Sequence, residues 1–118
     1  MIEFKRKREH NSVSQYDIRP IIRISQSKRF VVSKLIAKKL DINIETEALM
    51  FYVDKNKLFL KKQLKNFYNY HLGVGDAGTY RFRSTDLYND IKEFLKLEDN
   101  KTLFLELNDD CSLELKNF

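Results

Sequence analysis

The chain has 118 residues, 42% of them apolar, with 3 Gly, 1 Pro and 1 Cys. This composition excludes a low-complexity linker and a disulfide-stapled scaffold, and leaves one globular domain as the expected organisation. The formal charge of +5 is unevenly spread: residues 1 to 66 hold 16 Lys or Arg against 7 Asp or Glu, residues 67 to 118 hold 6 against 10. A phosphate backbone would be drawn to the first part and repelled by the second, so any nucleic-acid contact is expected to be one-sided. The plainer alternative is that basic and acidic parts neutralise each other within or between chains.

The first segment, residues 1 to 19, is polar and carries Lys5-Arg6-Lys7-Arg8. It reads as a basic N-terminal arm, able to lie along phosphates or simply to keep a terminus solvated. It lacks the apolar core of a signal peptide, and nothing further on is apolar for a membrane-spanning length, so a cytoplasmic protein without membrane contact is expected.

Pro20 introduces Ile21-Ile22-Arg23-Ile24, a strand, since proline costs no ladder donor at a strand's first position. The polar Ser25 to Lys28 stretch predicts a turn or bulge, and Arg29 to Val32 the next strand. Ser33 is placed to cap a short helix in which Ile36 and Leu40 stand one turn apart while Lys34, Lys38 and Lys39 project outward. Lys38 and Lys39 also suit a helix C-terminus on dipole grounds alone. Leu49 to Val53 is apolar on both alternating faces, which predicts cover on two sides, as in a closed barrel or a subunit interface. Asp54-Lys55-Asn56 supplies turn chemistry and Leu58-Phe59-Leu60 returns, completing a hairpin.

Residues 66 to 79 contain every glycine and read as a flexible joint. Gly73-Val74-Gly75-Asp76-Ala77-Gly78 spells the dinucleotide-binding pattern, but Thr79 to Arg83 reads as a strand where a helix is required, so no nucleotide cofactor is expected. The nearby Phe67, Tyr68, Tyr70 and His71 could stack on exposed bases, although packing is the preferred reading for such a cluster.

Beyond the joint the earlier plan returns. Arg81-Phe82-Arg83 predicts a strand, Ser84 to Leu97 a helix about one turn longer than the first, and Thr102 to Leu107 with Ser112 to Lys116 a hairpin around Asn108-Asp109-Asp110. Asp86, Asp90 and Glu93 stand where the first helix has lysines. The chain is therefore expected to hold two β-α-β-β copies, residues 20 to 65 and an acidic 80 to 118. Units this small rarely bury a core alone, so the halves should complete each other in a fold that is mainly β with short helices, α+β in class.

The ordered set Arg29-Phe30-Val31-Val32-Ser33, Lys38-Lys39-Leu40-Asp41-Ile42 and Ala48 to Lys62 resembles the DNA-binding domain of AbrB-type transition-state regulators. What the resemblance implies is a swapped-hairpin β-barrel, with double-stranded DNA bound by basic residues around the first hairpin and helix. Arg29 then matches the Arg of the family's Gly-Arg turn, Arg23 a basic position on the preceding strand, and Lys38 a helix arginine. The chain departs from the family at Lys28 for Gly, Ser33 for Pro and Ala37 for a second helix arginine. Two units in tandem are similar to MraZ-type proteins, whose Asp-x-x-x-Arg is absent here.

The expectation is a small DNA-binding transcriptional regulator using Arg23, Lys28, Arg29, Lys34, Lys38 and Lys39, either a monomeric pseudo-dimer or a homodimer. The alternative is a protein-binding module, antitoxin-like or part of an assembly, working through the acidic half. An enzyme is not expected: His10, His71 and Cys111 lack catalytic partners in sequence and any regular metal-ligand spacing, and Glu45/Glu47 and Asp109/Asp110 read as solvated turn carboxylates.

Overall fold

A computed structural model of the protein describes residues 19–116, so the expected arm lies outside the described residues up to residue 18. Pro20 precedes β1 (Ile21–Ile24), and a turn returns the chain as β2 (Arg29–Val32). The turn closes through Ser25 N–H donating to Arg29 O at 2.9 Å and Lys28 N–H to Ser25 O at 3.0 Å. Lys28 takes φ 68, a left-handed conformation that costs a side chain about 1–2 kcal/mol.

α1 (Lys34–Leu40) follows and buries Ile36 and Ala37. Ser33 occupies the N-cap position, yet its hydroxyl does not cap the helix as the sequence suggests. The side chain is fully buried and accepts the Ile21 N–H at 3.2 Å, because β1 runs antiparallel beside it and takes the Ser33 N–H on Ile21 O. β3 (Glu47–Asp54) and β4 (Lys57–Leu64) then form a hairpin. Its two loop residues, Lys55 and Asn56, both have positive φ, the geometry that matches strand twist.

The second copy comprises β6 (Tyr80–Arg83), α2 (Thr85–Phe94), β7 (Leu103–Leu107) and β8 (Ser112–Lys116). Ser84 does cap its helix, accepting the Leu87 N–H at 3.1 Å. The expected joint is more structured than its glycines suggest: it holds β5 (Gly73–Val74), which pairs with β6, and a 3-10 turn, Asp76–Gly78.

Among the described residues the strands form one antiparallel sheet in the order β3-β4-β8-β7-β1-β2-β6-β5, curled into a half-barrel. Its pairing crosses the copies. β2 pairs with β6, setting Phe30 opposite Phe82; β7 pairs with β1; β4 meets β8 at Leu58 and Leu113. Leu49 of β3 exchanges both backbone bonds with Tyr70, at 3.0 and 2.9 Å, in the segment leading to β5. Each copy's hairpin therefore lies against strands of the other copy.

The core gathers the inward residues Ile22, Ile24, Phe30, Val32, Leu49 and Leu105 with Ile36 of α1 and Leu87, Tyr88 and Ile91 of α2. Phe30 stacks on Phe82 at 4.6 Å, Phe82 on Tyr70 at 5.2 Å, and Phe51 meets all three edge-on or tilted. The expected two-sided cover of β3 holds only at its start. Ala48 and Leu49 are buried beside the Leu49–Tyr70 bridge, but Val53, nearer the hairpin turn and past that bridge, is 53% exposed. No helix among the described residues is long and apolar enough to cross a membrane.

Candidate nucleic-acid interface

Alternation along β1, β2 and β6 sends Ile22, Ile24, Phe30, Val32 and Phe82 inward. The intervening residues, Arg23, Arg29, Val31, Arg81 and Arg83, fall on the opposite face. Register then sets them side by side: Arg29 opposite Arg83, Val31 opposite Arg81, and Arg23 opposite Val31. The result is a ledge of four arginines across three adjacent strands. None of the four has an ion pair among the described residues. Arg29 and Arg83 stand directly across the ladder, where like charges are destabilising, and a bound anion would offset that repulsion.

Two depressions flank the ledge and share Arg29 and Arg81 as a common wall. The larger, about 630 Å³, adds Asn69, Tyr70, His71 and Arg83. The other, about 410 Å³, adds Arg23, Gly75, Asp76 and Thr79. Glycine is required at position 75, since a Cβ there would stand 2.8 Å from Thr79 Oγ1. Burial raises the Tyr70 pKa, opposed by a hydrogen bond with Ser84 and reinforced by Asp90 and Asp86, so its hydroxyl stays protonated at neutral pH. His71 Nε2 lies 2.8 Å from Asn66 O, which fixes the ring beside the larger depression.

Of the six residues expected to bind, Arg23 and Arg29 lie on the ledge. Lys34 begins α1 with the end of its side chain packed over Gly78, beside the smaller depression. Lys38 is exposed on the last turn of α1. The other two are engaged inside the molecule. Lys28 Nζ donates to Gln26 O at 2.9 Å and stands 4.4 Å over the Tyr88 ring, and Lys39 pairs with Asp109 at 3.1 Å across to the β7–β8 turn.

Arg81 and Arg83 complete the ledge and come from the copy whose net charge is acidic. The alternation Arg81-Phe82-Arg83 is the signal that could have found them, since it puts both arginines on one strand face. Phe67 and Tyr68 also stand apart from the packed role preferred from sequence. They are 101% and 83% exposed, on a loop held by Asn66 Oδ1 accepting from Tyr68 N–H at 2.7 Å and Asn69 Nδ2 donating to Leu64 O at 2.8 Å. Tyr70, in contrast, packs as expected.

No family model matches this chain, and neither a curated protein nor a solved structure gives a significant match.

Proposed function

We propose that this protein binds double-stranded DNA through the arginine ledge of β1, β2 and β6, acting as a small transcriptional regulator of the AbrB-like type. The observation that carries the reading is the set Arg23, Arg29, Arg81 and Arg83, without an ion pair among the described residues and offered by both copies on one sheet face, with Arg29 directly opposite Arg83. Guanidinium groups grip phosphate oxygens with two parallel N–H donors each, and binding would replace arginine–arginine repulsion with charge-assisted hydrogen bonds. Lys34 at the ledge's margin and Lys38 on α1 would add weaker, longer-range attraction.

The same reading takes the fold as a swapped-hairpin barrel made within one chain, a pseudo-dimer. Support comes from the crossed pairing of β1 with β7 and of Leu49 with Tyr70, and from Lys28, which takes a left-handed φ where the family has glycine. Light scattering should return a single chain in solution, and a stable dimer would count against this form of the fold.

The binding test is fluorescence anisotropy with a mixed-sequence duplex over a salt series. Four phosphate contacts predict a log–log salt slope of about −3 to −4, reduced by about one in Arg29→Ala and again in Arg81→Ala. Absence of binding at low salt, or unchanged affinity in both variants, would sink the proposal.

A further inference from the structure

The corresponding strands β7 and β3 are partnered unequally on their outer edges. β1 pairs with β7 along four residues, from Ile21 opposite Glu106 to Ile24 opposite Leu103. The matching contact of β3 stops after the single Leu49–Tyr70 bridge. Both backbone groups of Leu49 point away from β4 to reach Tyr70, and antiparallel ladders repeat every second residue, so the N–H and C=O of Phe51 and Val53 point the same way. No hydrogen bond among the described residues meets them. Beside this bare edge runs an apolar groove of about 250 Å³ between β3 and α2, lined by Phe51, Val53, Tyr70, Leu87, Ile91 and Phe94.

The charges placed at this groove on α2 are anionic. Asp90 lines it, Asp86 acts on the groove residue Tyr70, and Glu93 lies on the same helix, all three exposed and without an ion pair among the described residues. A bare ladder edge, an adjacent apolar slot and unpaired carboxylates together specify an occupant. An extended strand satisfies the edge, one apolar side chain fills the slot, and cationic side chains on either side of it answer the carboxylates.

We propose that the open seam between β3 and α2 docks an extended cationic segment of a partner protein, which adds to the sheet at Phe51 and Val53. The segment places an apolar side chain against Ile91 and Phe94, with Lys or Arg two residues before and after it on the same face. This surface shares Tyr70 with the larger depression but none of the ledge's four arginines, and it attracts the opposite charge.

The probe is a fluorescent Thr-Lys-Thr-Leu-Thr-Lys-Thr peptide titrated with the full chain. Val53→Pro removes the outward N–H while leaving the β3–β4 ladder intact, since that N–H faces the open edge. Asp90→Lys reverses an exposed rim charge and leaves the core untouched. Each should weaken binding at least about tenfold, a loss of about 1.4 kcal/mol, and a peptide with Glu for both Lys should fail to bind. Val53→Pro should keep DNA affinity and Arg29→Ala should keep peptide affinity, which separates this surface from the ledge. No peptide binding at about 1 mM, or equal binding by all variants, overturns the proposal. Self-association abolished by Val53→Pro would overturn it too, by making a second copy the occupant.

Discussion

Ser33 and Ser84 hold the same position in the two copies, each between a strand and a helix, and their hydroxyls do different things. Ser84 caps α2 by accepting the Leu87 N–H, whereas Ser33 is buried and accepts the Ile21 N–H of β1. The difference follows from the leading strands. β1 has four residues and runs directly beside Ser33, while β5 has two and ends well before Ser84. A copied sequence plan thus diverges through the strand laid against it. The same inequality zips β1 onto β7 and leaves β3 with one bridge, which opens the seam beside α2.

The strongest way to break this comparison is to ask whether the copies are separable. Phe30 belongs to the first copy but stacks on Phe82 of the second and is fully buried. Phe30→Ala should cost about 3–5 kcal/mol and lower both halves together in one urea transition. Two transitions, with α2 and its hairpin retained in the second, would show that the copies fold independently.

Next in size is the pair of serines. Ser84→Ala should cost about 1 kcal/mol or more, through the lost cap and the lost hydrogen bond with Tyr70. Ser33→Ala should cost less than that, because the Ile21 N–H keeps Arg19 O at 3.0 Å as a second acceptor. Thermal melts of the two variants test the order. Equal losses would mean that the two hydroxyls are equivalent after all.

Much of the fold is legible in sequence because it rests on local periodicity. The strands around Ile22, Phe30, Phe82 and Leu105 alternate, and α2 carries Leu87, Ile91 and Phe94 at helical spacing. The missed features depend on distant partners or on averaging. Arg81 and Arg83 were hidden by the acidic balance of residues 67 to 118, although β6 lies against β2 and joins its arginines. The fate of Lys28 depends on Tyr88, sixty residues on and in the other copy. Exposure of Phe67 and Tyr68 follows from the side-chain bonds of Asn66 and Asn69, which turn the loop outward. The open edge of β3 depends on where a non-local ladder stops.

A smaller effect probes Lys28. Lys28→Gly relieves the left-handed strain but gives up the contact over Tyr88, worth about 0.5–1 kcal/mol, so its stability should stay near that of the parent. Lys28→Ala keeps the strain and loses the contact. The glycine variant should therefore be the more stable of the two by about 1 kcal/mol in denaturant melts, and the reverse order would mean that the turn tolerates side chains without cost.

The smallest effect contrasts the two hairpin turns. In the second, Asp110 accepts the Ser112 hydroxyl at 2.5 Å and the Ser112 N–H at 2.9 Å, and these bonds, the hydroxyl first, hold its carboxyl below the usual carboxylate range. A pKa lowered by folding stabilises the native state above the unfolded value, and that contribution is lost as pH falls through the folded value. The two loop residues of the first hairpin, Lys55 and Asn56, hold no such carboxyl–serine bond. Acidification should therefore loosen the β7–β8 turn before the β3–β4 turn. Carboxyl NMR should find the Asp110 midpoint depressed and returning toward its ordinary position in Ser112→Ala. An ordinary midpoint in the parent, or no change in the variant, would remove the serine as its cause.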